Sequence, residues 1–207
     1  MARTVDPEKH LARRLVIIDA ALSCFAAHGY AGTSTAAICR QAGIGSGTFF
    51  HYFPTKQQVL LAILDLGTAE TAEWFAGQDA AASPRSVVDA YVRHAVEEFA
   101  DPRIAGFVRA VGAVMGEPEI EAALALDART LQEGLEPWVA RAQEAGEVRT
   151  DLSPRDLTAW LLLVLDGFLG RLATDPDFST SGQGAVLEDV VARLLAHPVV
   201  EQDGRPA

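Results

Sequence analysis

The chain has 207 residues, of which 49% are hydrophobic, and a net charge of −11. That is enough chain for one large or two small domains with a substantial buried core. Two cysteines, Cys24 and Cys39, are too few for a disulfide framework. The most apolar stretch, residues 159–165, is too short to cross a bilayer, and the first ten residues hold no apolar signal segment, so a cytoplasmic protein without a membrane partner is expected.

Charge divides the chain. Residues 1–56 hold six basic and three acidic side chains, a net +3, whereas residues 57–207 hold 11 basic and 25 acidic ones, a net −14. A polyanion would therefore meet the N-terminal part and be repelled by the rest. Because +3 is modest, binding is expected to need two copies acting together.

Residues 1–8 read as a frayed arm in which Arg3 is available for a groove or a phosphate. A first helix follows over residues 9–28, where Leu11, Leu15, Ile18, Leu22 and Phe25 make one apolar stripe at spacings of four and three. Cys24 and Cys39 fall at apolar positions and read as core residues more readily than as a thiol switch. Residues 33–56 predict two short helices around a glycine turn. Ser34 or Thr33 can cap the first, Gly43 ends it in the left-handed conformation, Ile44 re-enters the core, and Ser46 opens the second, which runs through Tyr52. Helix, tight turn and short helix form a helix-turn-helix, whose second helix enters a DNA major groove.

Gly29-Tyr30, Thr33 to Thr35, Ile38, Ala42-Gly43-Ile44, the run from Gly47 to Phe53 and Lys56 resemble the DNA-binding signature of the tetracycline-repressor (TetR) family. The resemblance runs without gaps from about Ile17 to Leu60; beyond it only the helical layout is similar. Phe49 and Phe53 are assigned to packing. The expected DNA-binding residues are Thr35 at a helix N-terminus, Ser46, Gly47, Thr48, Phe50, His51, Tyr52, and Lys56 at the start of the next helix. Phe50 stands where the family usually has a tyrosine, and Ser46 where it often has a lysine. Both departures remove a phosphate contact and predict a shallower salt dependence.

Pro54-Thr55-Lys56 opens a helix that links this unit to the remainder. The breaker-rich residues 78–84 follow, then helices at about 85–100, 102–115, 118–145, 154–174 and 184–196, with Pro137 expected to kink or split the third. No strand alternation is present. The fold class is therefore all-α, with a three-helix DNA-binding domain over residues 1–56 and a helical effector-binding and dimerisation domain over 57–207. The helix at 154–174 is apolar on nearly all sides. Together with the last helix it is expected to form a four-helix dimer seam, as the resemblance also implies, using Leu162, Asp166, Gly167, Gly170, Val190 and Leu194. Gly167 and Gly170 suggest that something packs closely against them.

Trp74, Phe99, Phe107, Val111, Met115, Trp138, Trp160 and Asp166 are the candidates for a ligand pocket between helices. Arg109 and Asp166 are charges among apolar neighbours that need partners. His94 with Glu97 and Glu98 has a spacing open to a metal but reads as a solvated helix face. No catalytic constellation, cofactor motif or metal motif is found, so no enzyme and no cofactor are expected. The expected function is a sequence-specific, DNA-binding regulator, a homodimeric repressor released from double-stranded operator DNA by an unidentified small molecule. A structural DNA-binding protein without an effector, or a helical enzyme with an incidental helix-turn-helix, are the alternatives.

Overall fold

The computed structural model describes residues 7–198, which form nine helices and no strand. Arg3 lies outside the described residues, and Pro7 and Glu8 of the expected arm already belong to the first helix. Helix α1 (Pro7–Gly32) buries Ile17, Ile18, Ala21, Cys24 and Phe25 and bends at Gly29. This corrects the expected stripe: Leu11 is 55% and Leu15 39% exposed. The N-terminal turns of α1 instead meet the end of α3 through other positions, His10 beside the Tyr52 ring at 4.5 Å and Arg14 over the Phe53 ring at 5.2 Å.

Helix α2 (Thr35–Ala42) begins at Ser34, whose Oγ accepts from the Ala37 amide at 3.2 Å, and ends at Gly43 with φ 64° and ψ 36°. An L side chain is strained in that left-handed conformation, so the turn into α3 depends on glycine there. Thr33 turns inward instead of capping. Its Oγ1 donates toward the carbonyls of Gly29 and Cys24, at 2.8 and 3.0 Å, tying the bend in α1 to the start of α2. Helix α3 (Ser46–Tyr52) is seven residues long and has no side-chain cap. It is held by Phe49 and, just past its end, Phe53, which are 0% and 3% exposed. Helix α4 (Lys56–Ala76) is capped by Thr55 and buries Val59, Leu60 and Ile63 against α1.

The other helices are α5 (Pro84–Phe99), α6 (Ile104–Gly112), α7 (Pro118–Glu144), α8 (Pro154–Thr174) and α9 (Thr180–Leu195). Proline in the first turn starts α5, α7 and α8, where its missing N–H costs nothing. Pro137 does not split α7 as the sequence suggested. Leu135, Trp138 and Val139 are buried on either side of it, and their packing offsets the interior-proline cost of roughly 3 kcal/mol.

Two cores result. One joins α1 to α4 with Phe107, Ala110 and Val111 of α6 and Ile120 of α7. The second joins α5, α7, α8 and α9 around Val88, Leu135, Val139, Leu157, Leu161 and Leu187. Helix α6 therefore shares the core of the N-terminal unit, which a division at residues 56 and 57 leaves out. At this joint a Cβ on Gly106 would lie 2.1 Å from the Ala26 carbonyl oxygen, so backbone meets backbone. Arg103 adds a polar clasp, with Nη1 donating to Asp19 Oδ1 at 2.7 Å and Nη2 to Asp101 Oδ2 at 2.7 Å. The Arg103 hydrogen bonds hold the Asp101 carboxyl below its usual pKa. Helices α1 and α8 have the length and hydropathy of a membrane span, and each packs into one of these cores.

Candidate nucleic-acid interface and effector side

The short helix α3 divides its residues by function. Phe49 faces inward and carries the packing, while Ser46, Gly47, Thr48, Phe50 and His51 are exposed on its other sides. Apart from its own helix, none of the described residues lies within 4 Å of where a Gly47 Cβ would stand, so packing among them does not demand glycine there. The free space leaves the backbone open to close approach from outside. Phe50 is 52% exposed, a large apolar surface to leave in water without a partner. Tyr52 is half-buried and lies 4.5 Å from the His10 ring, with the His51 ring 5.2 Å away, so α1 buttresses the end of α3. His10 belongs to this surface, and no motif in the sequence singled it out.

Thr35 is half-buried at the first position of α2, beside the Ser34 cap. Arg40 and Arg13 are exposed, and the Arg14 guanidinium lies over the Phe53 ring at 5.2 Å. Lys56 is placed differently from the expectation. Its Nζ donates to the Tyr30 carbonyl at 2.7 Å and the Thr33 carbonyl at 2.9 Å and stands 4.3 Å from the Tyr30 ring centre. Burial lowers its pKa. The lysine fastens α4 to the end of α1, with at most its remaining N–H to spare for a phosphate. Lys56→Met is therefore expected to cost about 1.5–3 kcal/mol of stability, the range for hydrogen bonds to a charged group, as measured by urea denaturation. A melting curve unchanged from the parent would show the clasp to be idle.

The eight ligand-pocket candidates do not share one cavity. Phe107 and Val111 are 8% exposed and belong to the core that joins α6 to α1 and α4. Trp138 is buried in the second core, with the Arg141 guanidinium over its ring at 4.5 Å. Met115 is 58% and Trp160 52% exposed. The apolar character of these residues is used by the helix joint, the core and the outer face of α8. Phe99 does line an open groove of about 950 Å³, with Arg109, Phe178 and Thr180, between the ends of α5 and α8 and the starts of α6 and α9. The Arg109 Nη1 donates to the Ala173 carbonyl at 2.9 Å in the last turn of α8.

Trp74 and Asp166 point to a different place. Trp74 stacks on His94 at 5.5 Å and meets Tyr91 at 5.3 Å. Asp127, hydrogen-bonded to Thr68 at 3.0 Å, and Glu98 lie in the same neighbourhood. Burial raises the carboxyl pKa of Glu98, Asp127 and Asp166, and Asp127 raises Asp166 further. A raised carboxyl pKa contributes stability that is fully present below the ordinary carboxylate pKa and lost as pH rises through the raised one. The His94 and Glu98 pair lies at the edge of this neighbourhood on a largely solvated face, as read from sequence, with the Glu98 side chain 53% exposed. Tyr91, Asp127 and Thr68 escaped the sequence reading because each is contributed by a separate helix.

The outer face of α8 is unpartnered among the described residues. Trp160 and Leu163 are 52% and 55% exposed, and on α9 Val186 and Val190 are 52% and 43% exposed. Gly167 and Gly170 have open space where a Cβ would stand, so none of the described residues packs against them there. Leu162 and Leu194 are half-buried at the edge of this face, and Asp166 is exposed on its shoulder within electrostatic reach of Asp127 of its own chain. Both cysteines are free and buried in the first core, and burial pushes the Cys24 thiol pKa up, which disfavours the reactive thiolate.

The sequence profile of bacterial regulatory proteins of the tetR family matches residues 17–63, and that of the BetI-type transcriptional repressor C-terminal region matches residues 80–196. The chain is 28% identical over 191 residues to the HTH-type transcriptional repressor AcnR of Corynebacterium efficiens, covering 92% of this chain and 96% of that protein. It is 30% identical over 127 residues to the HTH-type transcriptional regulator BetI of Rhizobium meliloti, covering 59% and 62% respectively. Among solved structures, a TetR transcription regulator from Haloarcula marismortui superposes with a TM-score of 0.77 at 16% identity, covering 89% of this chain and 96% of that one.

Proposed function

The chain belongs to the TetR family of bacterial regulatory proteins, and on that premise we propose that this DNA-binding transcriptional regulator is a homodimeric repressor that leaves a near-palindromic operator when a small molecule occupies its helical domain. The observation that carries the reading is the division of α3 into one buried aromatic anchor and an outer face exposed among the described residues. The sign of regulation follows the relatives, several of which are named repressors. Operator DNA places the site of action in the cytoplasm. The exposed apolar face of α8 and α9 supplies a self-complementary surface for a twofold dimer. Thr48 and His51 read base edges, Ser46 and Gly47 approach the backbone, and Thr35 holds a phosphate at the start of α2. The effector acts by favouring a dimer whose two α3 helices no longer match successive major grooves, and two routes run from the helical domain to them: α4, and α6 through Gly106 and Arg103.

Selection of bound sequences from random DNA tests the reading. Inverted half-sites about 34–36 Å apart, or a multiple of one helical turn, are expected. Thr48→Ala and His51→Ala are each expected to weaken operator binding by about 1–3 kcal/mol without moving the melting temperature. Enrichment of a single asymmetric half-site, or of no sequence at all, is the result that defeats this assignment.

A further inference from the structure

The groove where α5 and α8 end and α6 and α9 begin holds about 950 Å³, at the upper end of the roughly 300–1,000 Å³ of small-molecule sites. Its wall is aromatic. Phe99 and Phe178 line it, and both rings pack on Phe168, with centroids 6.0 and 4.9 Å away. Ile104 at the start of α6 and Leu172 near the end of α8 add aliphatic surface. The hydroxyls on its rim are already engaged. Thr180 Oγ1 donates to the Phe99 carbonyl at 2.9 Å, Thr174 Oγ1 donates to the Gly170 carbonyl at 2.8 Å, and the Ser179 and Ser181 hydroxyls lie 3.3 Å apart. Arg109 is the basic side chain among the described residues that line the groove. Its Nη1 donates to the Ala173 carbonyl, and no carboxylate among the described residues forms an ion pair with it. Of the three carboxylates on the rim, Asp101 is held by Arg103 and Asp175 by Arg171, and Glu97 is exposed. Arg109 therefore keeps its charge and most of its N–H donors for something else, beside an apolar surface open to solvent.

That combination narrows the ligand. A trough of phenylalanine and aliphatic side chains takes a hydrocarbon body, and a planar guanidinium at its edge matches a carboxylate, whose two oxygens both accept. A cationic head would meet Arg109 as a like charge. A head with several negative charges would face the exposed Glu97 and an acidic domain with a single uncompensated arginine to hold it. A ligand polar along its whole length would leave the rings of Phe99 and Phe178 uncovered.

We propose that this groove is the effector site and takes an amphipathic monocarboxylate, its carboxylate on Arg109 and its hydrocarbon body against Phe99 and Phe178. The assignment rests on the reading of the chain as an effector-released regulator. The groove touches both parts that such a regulator must connect. One side is the end of α8 and the start of α9, the helices whose outer faces are proposed to meet in the dimer. The other side is the turn into α6, where Asp101 holds Arg103 and Arg103 holds Asp19 of α1. Arg109 gives the site its lever. It belongs to α6 and donates to α8, so a ligand carboxylate competes with the Ala173 carbonyl for the same guanidinium and loosens α6 from α8. Helix α6 carries the change to α1 at Gly106, whose backbone lies against Ala26.

Isothermal titration of the full-length protein with octanoate, against octanol and octylammonium of the same chain length, tests the proposal. Saturable octanoate binding is expected, about tenfold or more tighter than that of either control. Arg109→Gln should weaken octanoate by about tenfold or more and leave octanol unchanged, because only the carboxylate uses the charge. Ala100→Trp is the second variant. Ala100 lines the groove from the exposed end of α5, so the indole fills the space without entering either core. It should abolish octanoate binding with the melting temperature unchanged, which separates a lost site from a lost fold. Absence of saturable octanoate binding, undiminished binding in Ala100→Trp, or equal binding of octanoate and octylammonium would overturn the assignment. A parallel gel shift with a selected operator keeps the two readings apart. Octanoate binding that Ala100→Trp abolishes, without operator release, supports the groove and defeats the release mechanism. Release by another compound that persists in Ala100→Trp defeats the groove and leaves the release mechanism standing.

Discussion

Gly106→Ala is expected to lower stability by about 1–3 kcal/mol, the range for overpacking, although in an ordinary helix interior the same change would raise it by roughly 1 kcal/mol. The sign is what makes the experiment decisive. A methyl group at Gly106 would sit 2.1 Å from the Ala26 carbonyl oxygen and 2.8 Å from its carbon, and those atoms belong to the backbone of α1 and cannot rotate aside. Helix α6 must move away, opening Phe107 and Val111 to water and straining the Arg103 clasp on Asp19. Gly106→Val is expected to go further and uncouple the two cores, seen as two separate transitions in denaturation followed by near-ultraviolet and far-ultraviolet circular dichroism. Because α1 also buttresses α3 through His10 and Tyr52, operator binding should fall with it. A Gly106→Ala protein as stable as the parent would mean that the helices have room to spare.

The second large effect is expected at Leu163. Leu163→Glu places a charge at the centre of the exposed apolar face of α8, and a twofold interface places it there twice. Each buried leucine of this kind contributes about 1.5–3 kcal/mol, and the introduced carboxylates repel across the axis. The protein should sediment as a monomer, and operator affinity should drop by about 10²–10⁴-fold, the usual gain from linking two sites. The monomer itself should stay folded, because Leu163 belongs to neither core. Met115→Glu, at a residue 58% exposed but off this face, is the matched control and should leave mass and operator affinity unchanged. A Leu163→Glu protein that remains a dimer would move the seam elsewhere.

The sequence disclosed most where a single local cause decides the structure. Gly43 ends α2 because only glycine sits comfortably at φ 64°, and Ser34 and Thr55 mark helix starts with an acceptor for an unpaired amide, whereas the last helix begins at Thr180 behind the Ser179 cap and not at 184 as expected. The aromatic cluster after Gly47 told which rings pack and which stay outside, as Phe49 and Phe50 do. What depended on which helices become neighbours stayed hidden. A tryptophan is apolar whether it fills a core, as Trp138 does, or faces outward, as Trp160 does. Lys56 looked like a free cation until the end of α1 brought two carbonyls to it. The role of α6 was invisible because a glycine in a helix carries no sign of the backbone it touches. Tyr91, Asp127 and Asp166, which influence one another electrostatically, come from helices far apart in the chain, so no spacing in the sequence could announce them.

Helix α3 needs little of its own sequence to exist. Seven residues, a glycine at its start in place of a capping side chain, and one fully buried ring fix it to the rest of the unit. The positions proposed to meet DNA are therefore almost unconstrained by folding, and their substitution falls in the class of exposed changes that alter stability by about half a kilocalorie per mole or less. On the proposed reading, drift at Ser46, Thr48, Phe50 and His51 rewrites which operator is recognised while the protein stays intact, so a duplicated copy acquires a new target before it loses its shape. The same freedom does not extend to Gly106 or Lys56, where a change is felt in the joint. Among descendants of this chain, target choice should diverge faster than the machinery that switches it.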